Sequence, residues 1–125
     1  MKQILLVEDD PFLIDIYTTK FKEEGFSVEV ANDGEEGLRK LGNEEKFDLL
    51  ILDIVLPHVD GWEILKKIKS TPHQYGGGGL KIVILSNLGQ KGEVEKGLKL
   101  GATKYLIKAH YTPSEVVEEI KEVLK

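Results

Sequence analysis

Polar side chains of three kinds, acids, a hydroxyl and an amine, follow four of the five short apolar runs of the chain. They are Glu8, Asp9, Asp10, Asp53, Ser86 and Lys108. Ligands of an open parallel sheet bind beyond the carboxyl ends of its strands. If the apolar runs are such strands, these side chains meet at one edge of the sheet. Each alone could be a turn or capping residue, but together they predict a shared site.

The acids of this set predict a bound divalent cation. Glu8, Asp9 and Asp53 would bring three negative charges into one cleft, and their mutual repulsion is unfavourable unless a cation lies among them. Oxygen ligands without histidine or cysteine are typical of Mg²⁺ or Mn²⁺ sites. Mg²⁺ is therefore the expected cofactor, with Mn²⁺ as the alternative.

Asp53 is the candidate nucleophile. A carboxylate can attack phosphorus and form an acyl phosphate, and Asp53 ends the most apolar run, Leu49–Leu52, where its position would be rigid. Lys108 would bring positive charge to the phosphoryl oxygens, and Ser86 would donate a hydroxyl. Because phosphoryl transfer depends mainly on positioning and charge neutralisation, these residues predict that chemistry.

The apolar runs alternate with stretches of helical periodicity, which is typical of βα units on a parallel sheet. The runs are residues 4–7, 27–31, 47–52, 81–85 and 103–107. The second and fifth are more mixed and predict edge strands, with Glu29 and Lys104 facing outward. Right-handed crossovers fold five such units into a three-layer, doubly wound α/β sandwich with five helices.

Start signals mark four of the five expected helices. They are Asp10-Pro11, Asp33, Asp60 and Thr112-Pro113. Because proline follows Asp10, this acid is expected to cap a helix rather than to bind a metal. The four glycines 76–79 are predicted to form a loop, since neither a Lys-Ser/Thr pair nor a helix start follows them.

Length and composition exclude several classes of protein. The 125 residues suffice for one domain, 1–125, and the absence of cysteine excludes thiol catalysis, zinc–cysteine sites and disulfides. A net charge of −5 argues against a nucleic-acid partner. The apolar run 4–7 is too short for a signal peptide or a membrane span, so we expect a cytoplasmic protein that does not contact membranes.

Four motifs, in this order, resemble the receiver domain of two-component response regulators. They are residues 4–10, residues 48–57 with Asp60-Gly61 after them, residues 82–86 and residues 101–108. The resemblance runs from end to end of the chain. It implies the flavodoxin-like fold of chemotaxis regulators, a five-stranded parallel sheet in the order 2-1-3-4-5.

The resemblance also implies the roles of the acids and of the lysine. Asp53 would be the phosphoacceptor, taking a phosphoryl group from the phosphohistidine of a histidine kinase or phosphotransfer protein. Asp9, Asp53 and the backbone carbonyl of Val55 would bind Mg²⁺, with Glu8 acting through water. Lys108 would bond the phosphoryl group.

In the same family pattern, Ser86 and Tyr105 form a switch. The Ser86 hydroxyl would move onto the phosphoryl group, and the Tyr105 ring would turn inward behind it. The surface of the fourth helix, fifth strand and fifth helix would then change for a downstream protein or effector domain. Such a chain is a phosphoacceptor rather than a turnover enzyme, and it is a monomer or a phosphorylation-dependent dimer.

The chain departs from the receiver pattern at two positions. Asn87 stands where a small residue usually follows the switch hydroxyl, and Ala109 stands where proline usually follows the lysine, often through a cis bond. A cis bond without proline costs about 2.5–4 kcal/mol. We therefore expect the fifth loop to differ in shape.

Three other interpretations fit the chain less well than a phosphorylated receiver does. A haloacid-dehalogenase-type phosphatase would need a second aspartate where Val55 stands, and a flavodoxin would need a glycine- and hydroxyl-rich loop in place of residues 8–10. The main alternative is a receiver-like interaction module with a degenerate pocket that works without phosphorylation. The presence of Asp53, Asp9 and Lys108 argues against it.

Overall fold

The computed structural model describes residues 1–43, 46–75 and 79–125, and along them five strands alternate with five α-helices. The strands are β1 (Gln3–Val7), β2 (Ser27–Ala31), β3 (Leu49–Leu52), β4 (Lys81–Ser86) and β5 (Lys104–Ile107). The helices are α1 (Pro11–Glu23), α2 (Gly34–Leu41), α3 (Gly61–Ser70), α4 (Lys91–Lys99) and α5 (Pro113–Val123). A 3-10 turn over Lys108–His110 precedes α5. Three residues of the predicted glycine loop, 76–78, lie outside the described residues.

All strand pairs are parallel, and their order is β2-β1-β3-β4-β5, which confirms the predicted fold. The mixed runs form the edge strands β2 and β5, as expected. The paired register sets Val7 beside Leu52 and Ser86 beside Ile107. The residues that follow these strands therefore emerge side by side at one edge of the sheet.

The third strand is shorter than the predicted run 47–52 because Phe47 is buried without pairing in the ladder. Asp48 instead bridges the two neighbouring strands. Its N–H donates to the carbonyl of Gln3, and its own carbonyl accepts from the N–H of Lys81. Apolar character alone does not distinguish a buried approach segment from a paired strand.

The helices cover both faces of the sheet and enclose two apolar clusters. One cluster lies under α2 and α3 and includes Leu50, Leu52 and Ile64. The other lies under α1 and α5 and includes Phe21 and Ile120. Burial on both faces explains why β3 is apolar throughout and why the interior residues of β1 and β4 are apolar.

The two charged side chains expected to face outward from the edge strands are each partly buried against a helix. Lys104 Nζ lies 2.9 Å from Glu119 Oε1 of α5. Glu29 Oε1 lies 4.0 Å from Lys40 Nζ of α2. Each edge strand thus carries a charged side chain that pairs with the helix flanking it.

Each predicted start signal caps its helix. The side chains of Asp10, Asp33, Asp60 and Thr112 accept backbone N–H groups of the first turns of α1, α2, α3 and α5. The fourth helix begins after Gln90, whose N–H donates to Glu93. None of the helices in the described ranges is long and apolar enough to cross a membrane.

Candidate functional site

The carboxyl ends of the strands surround an open cavity of about 520 Å³. Its lining consists of Glu8, Asp9, Asp10, Asp53, Val55, Ser86, Asn87, Leu88 and Lys108. All six polar residues singled out in the sequence lie there. Tyr105 does not line the cavity. Leu88 lines it too, and the sequence carried no signal for this residue.

The acidic cluster of this cavity consists of Glu8, Asp9 and Asp53, whose carboxylate oxygens lie within 4.8 Å of one another. Pairing of β1 with β3 brings them together, because the N–H of Asp53 donates to the carbonyl of Val7 over 3.1 Å. Glu8 and Asp53 are buried, whereas Asp9 is exposed. The cluster is therefore open to solvent on the side of Asp9.

Lys108 balances part of this charge. Its Nζ lies 2.6 Å from Asp53 Oδ2 and 2.7 Å from Glu8 Oε1. Burial alone would lower the pKa of Lys108, but the bonds to Asp53 and Glu8 outweigh it and raise that pKa above its ordinary value. Burial raises the pKa of Glu8, against the opposing effect of Lys108. The lysine is thus held charged between two desolvated carboxylates.

The carboxylates differ in their exposure and in the number of bonds that their oxygens make, three for Glu8 and two for Asp53. Glu8 Oε1 bonds Lys108, and its Oε2 accepts the N–H groups of Asp9 and Asp10, both over 3.1 Å. Asp53 Oδ2 bonds Lys108, while its Oδ1 accepts the N–H of Val55 over 3.3 Å. Asp9 is the most accessible acid, so it and Asp53 are better placed than Glu8 to bind a cation directly.

The donor set fits a hard divalent cation. Three carboxylates face one ammonium, and no histidine or cysteine lines the cavity among the described residues. Oxygen-only ligands with excess negative charge suit Mg²⁺ and Mn²⁺. The acidic cluster can therefore bind a metal ion.

Asp10 lines the cavity, but its side chain caps α1. Its Oδ1 accepts the N–H of Phe12 over 2.9 Å and that of Leu13 over 3.4 Å. This is the arrangement of an N-cap followed by proline at the first helical position.

A three-residue relay joins Ser86 to Tyr105 through the backbone of Leu88. Ser86 is fully buried, and its Oγ accepts the N–H of Leu88 over 3.3 Å. The Tyr105 hydroxyl donates to the carbonyl of the same residue. Burial raises the pKa of Tyr105 to about 12, so its hydroxyl stays protonated and able to donate. The Tyr105 ring is already packed against the core in this structure.

The segment after β5 differs in shape from what a proline would impose. No peptide bond among the described residues is cis, and Lys108 begins a 3-10 turn that ends at His110. The N–H of Ala109 donates to Asn87 Oδ1 over 2.9 Å. The two departures from the receiver pattern therefore contact each other directly.

Comparison with known proteins agrees with this geometry. The family model for the response regulator receiver domain matches residues 4–121. The alkaline phosphatase synthesis transcriptional regulatory protein PhoP of Bacillus subtilis is 32% identical over 99% of the chain and 49% of its own length. The CpxR homolog of Haemophilus influenzae is 34% identical over 100% of the chain and 51% of its own length. The chain thus spans about half the length of these curated relatives.

Among solved structures, a CheY-like response regulator receiver domain protein from Methanospirillum hungatei superposes with a TM-score of 0.85 at 34% identity. The match covers 99% of this chain and 94% of that one. A two-component response regulator from Clostridium difficile superposes with a TM-score of 0.86 at 26% identity, over 99% of this chain and 96% of that one. The motifs, the strand order and these matches agree, and the chain belongs to the response regulator receiver domain family.

Proposed function

We propose that this receiver accepts a phosphoryl group on Asp53 from a phosphohistidine of a partner histidine kinase or phosphotransfer protein. One observation carries the proposal. The Asp53 carboxylate lines the cavity as part of the acidic cluster, and the Lys108 ammonium lies 2.6 Å from it. A nucleophile flanked by a candidate metal site and a fixed cation is what phosphoryl transfer requires.

The transfer exchanges one bond to phosphorus for another. An oxygen of the Asp53 carboxylate forms the new P–O bond as the P–N bond to the donor imidazole breaks. The imidazole leaves with the electron pair and takes up a proton. Asp53 then carries an acyl phosphate, so the chain acts as a phosphoacceptor rather than as a turnover enzyme.

Mg²⁺ is the cation that we assign to the acidic cluster, with Mn²⁺ as a substitute. Asp9, Asp53 and the carbonyl of Val55 would bind it directly. Glu8 would act through water, because it is the most deeply buried of the three acids and its oxygens already make three bonds. When bound, the ion would offset the negative charge of the carboxylates and of the phosphoryl oxygens. Lys108 would shift its ammonium from Asp53 onto a phosphoryl oxygen.

Phosphorylation would be read out through the relay of Ser86, Leu88 and Tyr105. If the Ser86 hydroxyl moves away from Leu88 to donate to the phosphoryl group, it gives up the N–H of Leu88, and the contact of Leu88 with Tyr105 is affected in turn. A phosphoryl group bonded better in one arrangement than in the other shifts the population between them. The surface of α4, β5 and α5 would then present a changed face to a partner.

The downstream partner is a protein or an effector domain rather than nucleic acid bound by this chain itself. PhoP and the CpxR homolog are named as transcriptional regulators, and the chain matches about half of each. The net charge of −5 is unfavourable for contact with a phosphate backbone. We expect the exchange to take place in the cytoplasm, with the chain as a monomer or a phosphorylation-dependent dimer.

Incubation with acetyl phosphate and Mg²⁺, followed by intact-mass measurement, tests the central step. The wild-type chain should gain one phosphoryl group, and chelation of Mg²⁺ should prevent the gain. The Asp53→Asn variant keeps the shape of the side chain but removes the nucleophilic oxygen, and it should gain none. No gain on the wild type would favour an interaction module that works without phosphorylation. A phosphoryl group that still appears on Asp53→Asn would show that another residue is the acceptor.

A further inference from the structure

Asn87 and Ala109 join the ends of two neighbouring strands beside the proposed phosphorylation site. Asn87 directly follows Ser86 at the end of β4, and Ala109 directly follows Lys108 after β5. The bond between them uses the N–H of Ala109, a donor that proline would lack. The bond therefore ties the residue after the buried hydroxyl to the residue after the lysine.

The switch segment, residues 86–89, contacts β5 and the turn after it at three points. The carbonyl of Leu88 accepts from Tyr105, and Oδ1 of Asn87 accepts from Ala109. Between these bonds Gly89 lies so close to Ile107 that an added Cβ would stand 2.6 Å from its side chain. Every second residue from Tyr105 to Ala109 thus contacts the switch segment. Lys108 lies between the last two of these residues.

We propose that Asn87 is a positioning residue for Lys108. Its carboxamide holds the turn after β5 against the switch segment, so that the Lys108 ammonium stays on the carboxylates of Asp53 and Glu8. The inference rests on the proposed role of Asp53 as phosphoacceptor. It goes beyond that role by assigning the geometry of the lysine to a side chain outside the acidic cluster.

Loss of the bond between Asn87 and Ala109 should have a moderate effect on the rate of phosphorylation. Asn87 and Ala109 are both exposed, so water competes for the bond between them. A net contribution of this kind corresponds to about a threefold to tenfold change in rate when it is lost. Larger effects are expected only for residues that touch the phosphoryl group.

The tests are the rate of phosphorylation by acetyl phosphate at saturating Mg²⁺ and the hydrogen exchange of the Ala109 amide. Asn87→Ala should lower the maximal rate about threefold to tenfold, with little change in the acetyl phosphate concentration for half-maximal rate. It should also speed exchange of the Ala109 amide in the unphosphorylated protein. Ala109→Ser keeps the backbone N–H and should behave as the wild type.

Ala109→Pro removes the donor and is the second arm of the experiment. In this background Asn87→Ala should cause no further loss of rate, because the bond is already gone. Equal losses in both backgrounds, or an Ala109 amide that exchanges at the wild-type rate in Asn87→Ala, would overturn the inference. If Ala109→Pro does not fold, the exchange rate and the rate profile of Asn87→Ala decide alone.

The outcome separates the inference from the function on which it rests. A wild-type chain that gains no phosphoryl group overturns the proposed function and this inference with it. A wild type that is phosphorylated normally while Asn87→Ala keeps its maximal rate overturns the inference only. A change confined to the half-maximal concentration would instead assign Asn87 to donor access and would also overturn it.

Discussion

The Lys108 ammonium lies 2.6 Å from the Asp53 carboxylate, deep enough that only 12% of the lysine side chain is exposed. Glu8, at 2.7 Å on the other side, is more buried still. The lysine therefore has two structural effects. It neutralises charge that the fold has desolvated, and it fixes the position of the Asp53 carboxylate.

Lys108→Gln should destabilise the chain by about 3 kcal/mol, because removal of one partner leaves buried carboxylates without their counter-charge. Mg²⁺ should restore more stability to this variant than it adds to the wild type, since the cation would then supply the missing positive charge. Urea denaturation with and without Mg²⁺ measures both effects. An unchanged stability in the absence of metal would contradict the charge balance described for Glu8 and Asp53.

Asp9→Asn should weaken Mg²⁺ binding by about tenfold or more while leaving the fold intact, because Asp9 is exposed and contributes a carboxylate oxygen to the acidic cluster. Isothermal titration with Mg²⁺ measures the affinity. Asp10→Asn is the matched control, since it also removes one charge from the cavity wall, and asparagine caps a helix as well as aspartate does. Equal losses in both variants would indicate a diffuse electrostatic effect rather than a metal ligand.

Those features of the site that depend on side-chain type and chain order were predictable from the sequence. Asp53, Ser86 and Lys108 each follow an apolar run, and parallel strands bring such residues to one edge. The role of Leu88 was not predictable, because it acts through its backbone N–H and carbonyl. The bond between Asn87 and Ala109 was not predictable either, since it depends on the distance between two strand ends.

The stability of α2 should depend on pH through the ionisation of its N-cap, Asp33. The backbone N–H of Glu36, and to a lesser degree His58, hold the pKa of Asp33 below its ordinary value of 3.8. A lowered folded-state pKa means that the ionised cap contributes stability above pH 3.8 and loses it as the pH falls through the folded value. The protection of the Glu36 amide against hydrogen exchange should therefore fall at acid pH.

Asp33→Asn is the control for that titration, because asparagine caps the helix but does not ionise. Its Glu36 amide should keep a constant protection over the same acid range. If the Glu36 amide loses protection at acid pH equally in the wild type and in Asp33→Asn, the acid sensitivity of α2 arises from another group.

Two glycines of α4 should respond in opposite directions to the same substitution. Nothing lies within 4 Å of a Cβ added at Gly92, whereas one added at Gly97 would stand 2.6 Å from Ile84 and 2.8 Å from the Tyr105 ring. Gly92→Ala should stabilise the chain by about 0.5 kcal/mol through helix propensity. Gly97→Ala gains the same propensity but overpacks the core, so a net loss of about 1 kcal/mol is expected.

Thermal denaturation of the two variants and the wild type measures this difference, and the Gly92 variant controls for helix propensity within the same helix. The methyl group added by Gly97→Ala would press on the Tyr105 ring. The substitution should therefore also weaken the hydrogen bond from the Tyr105 hydroxyl to the Leu88 carbonyl in the switch segment. The exchange rate of the Leu88 amide, which is held by Ser86, reports on that segment. Stabilisation by both substitutions would show that α4 can move away from β4 and β5 at little cost, and the close packing of Gly97 on Tyr105 would then not constrain the switch.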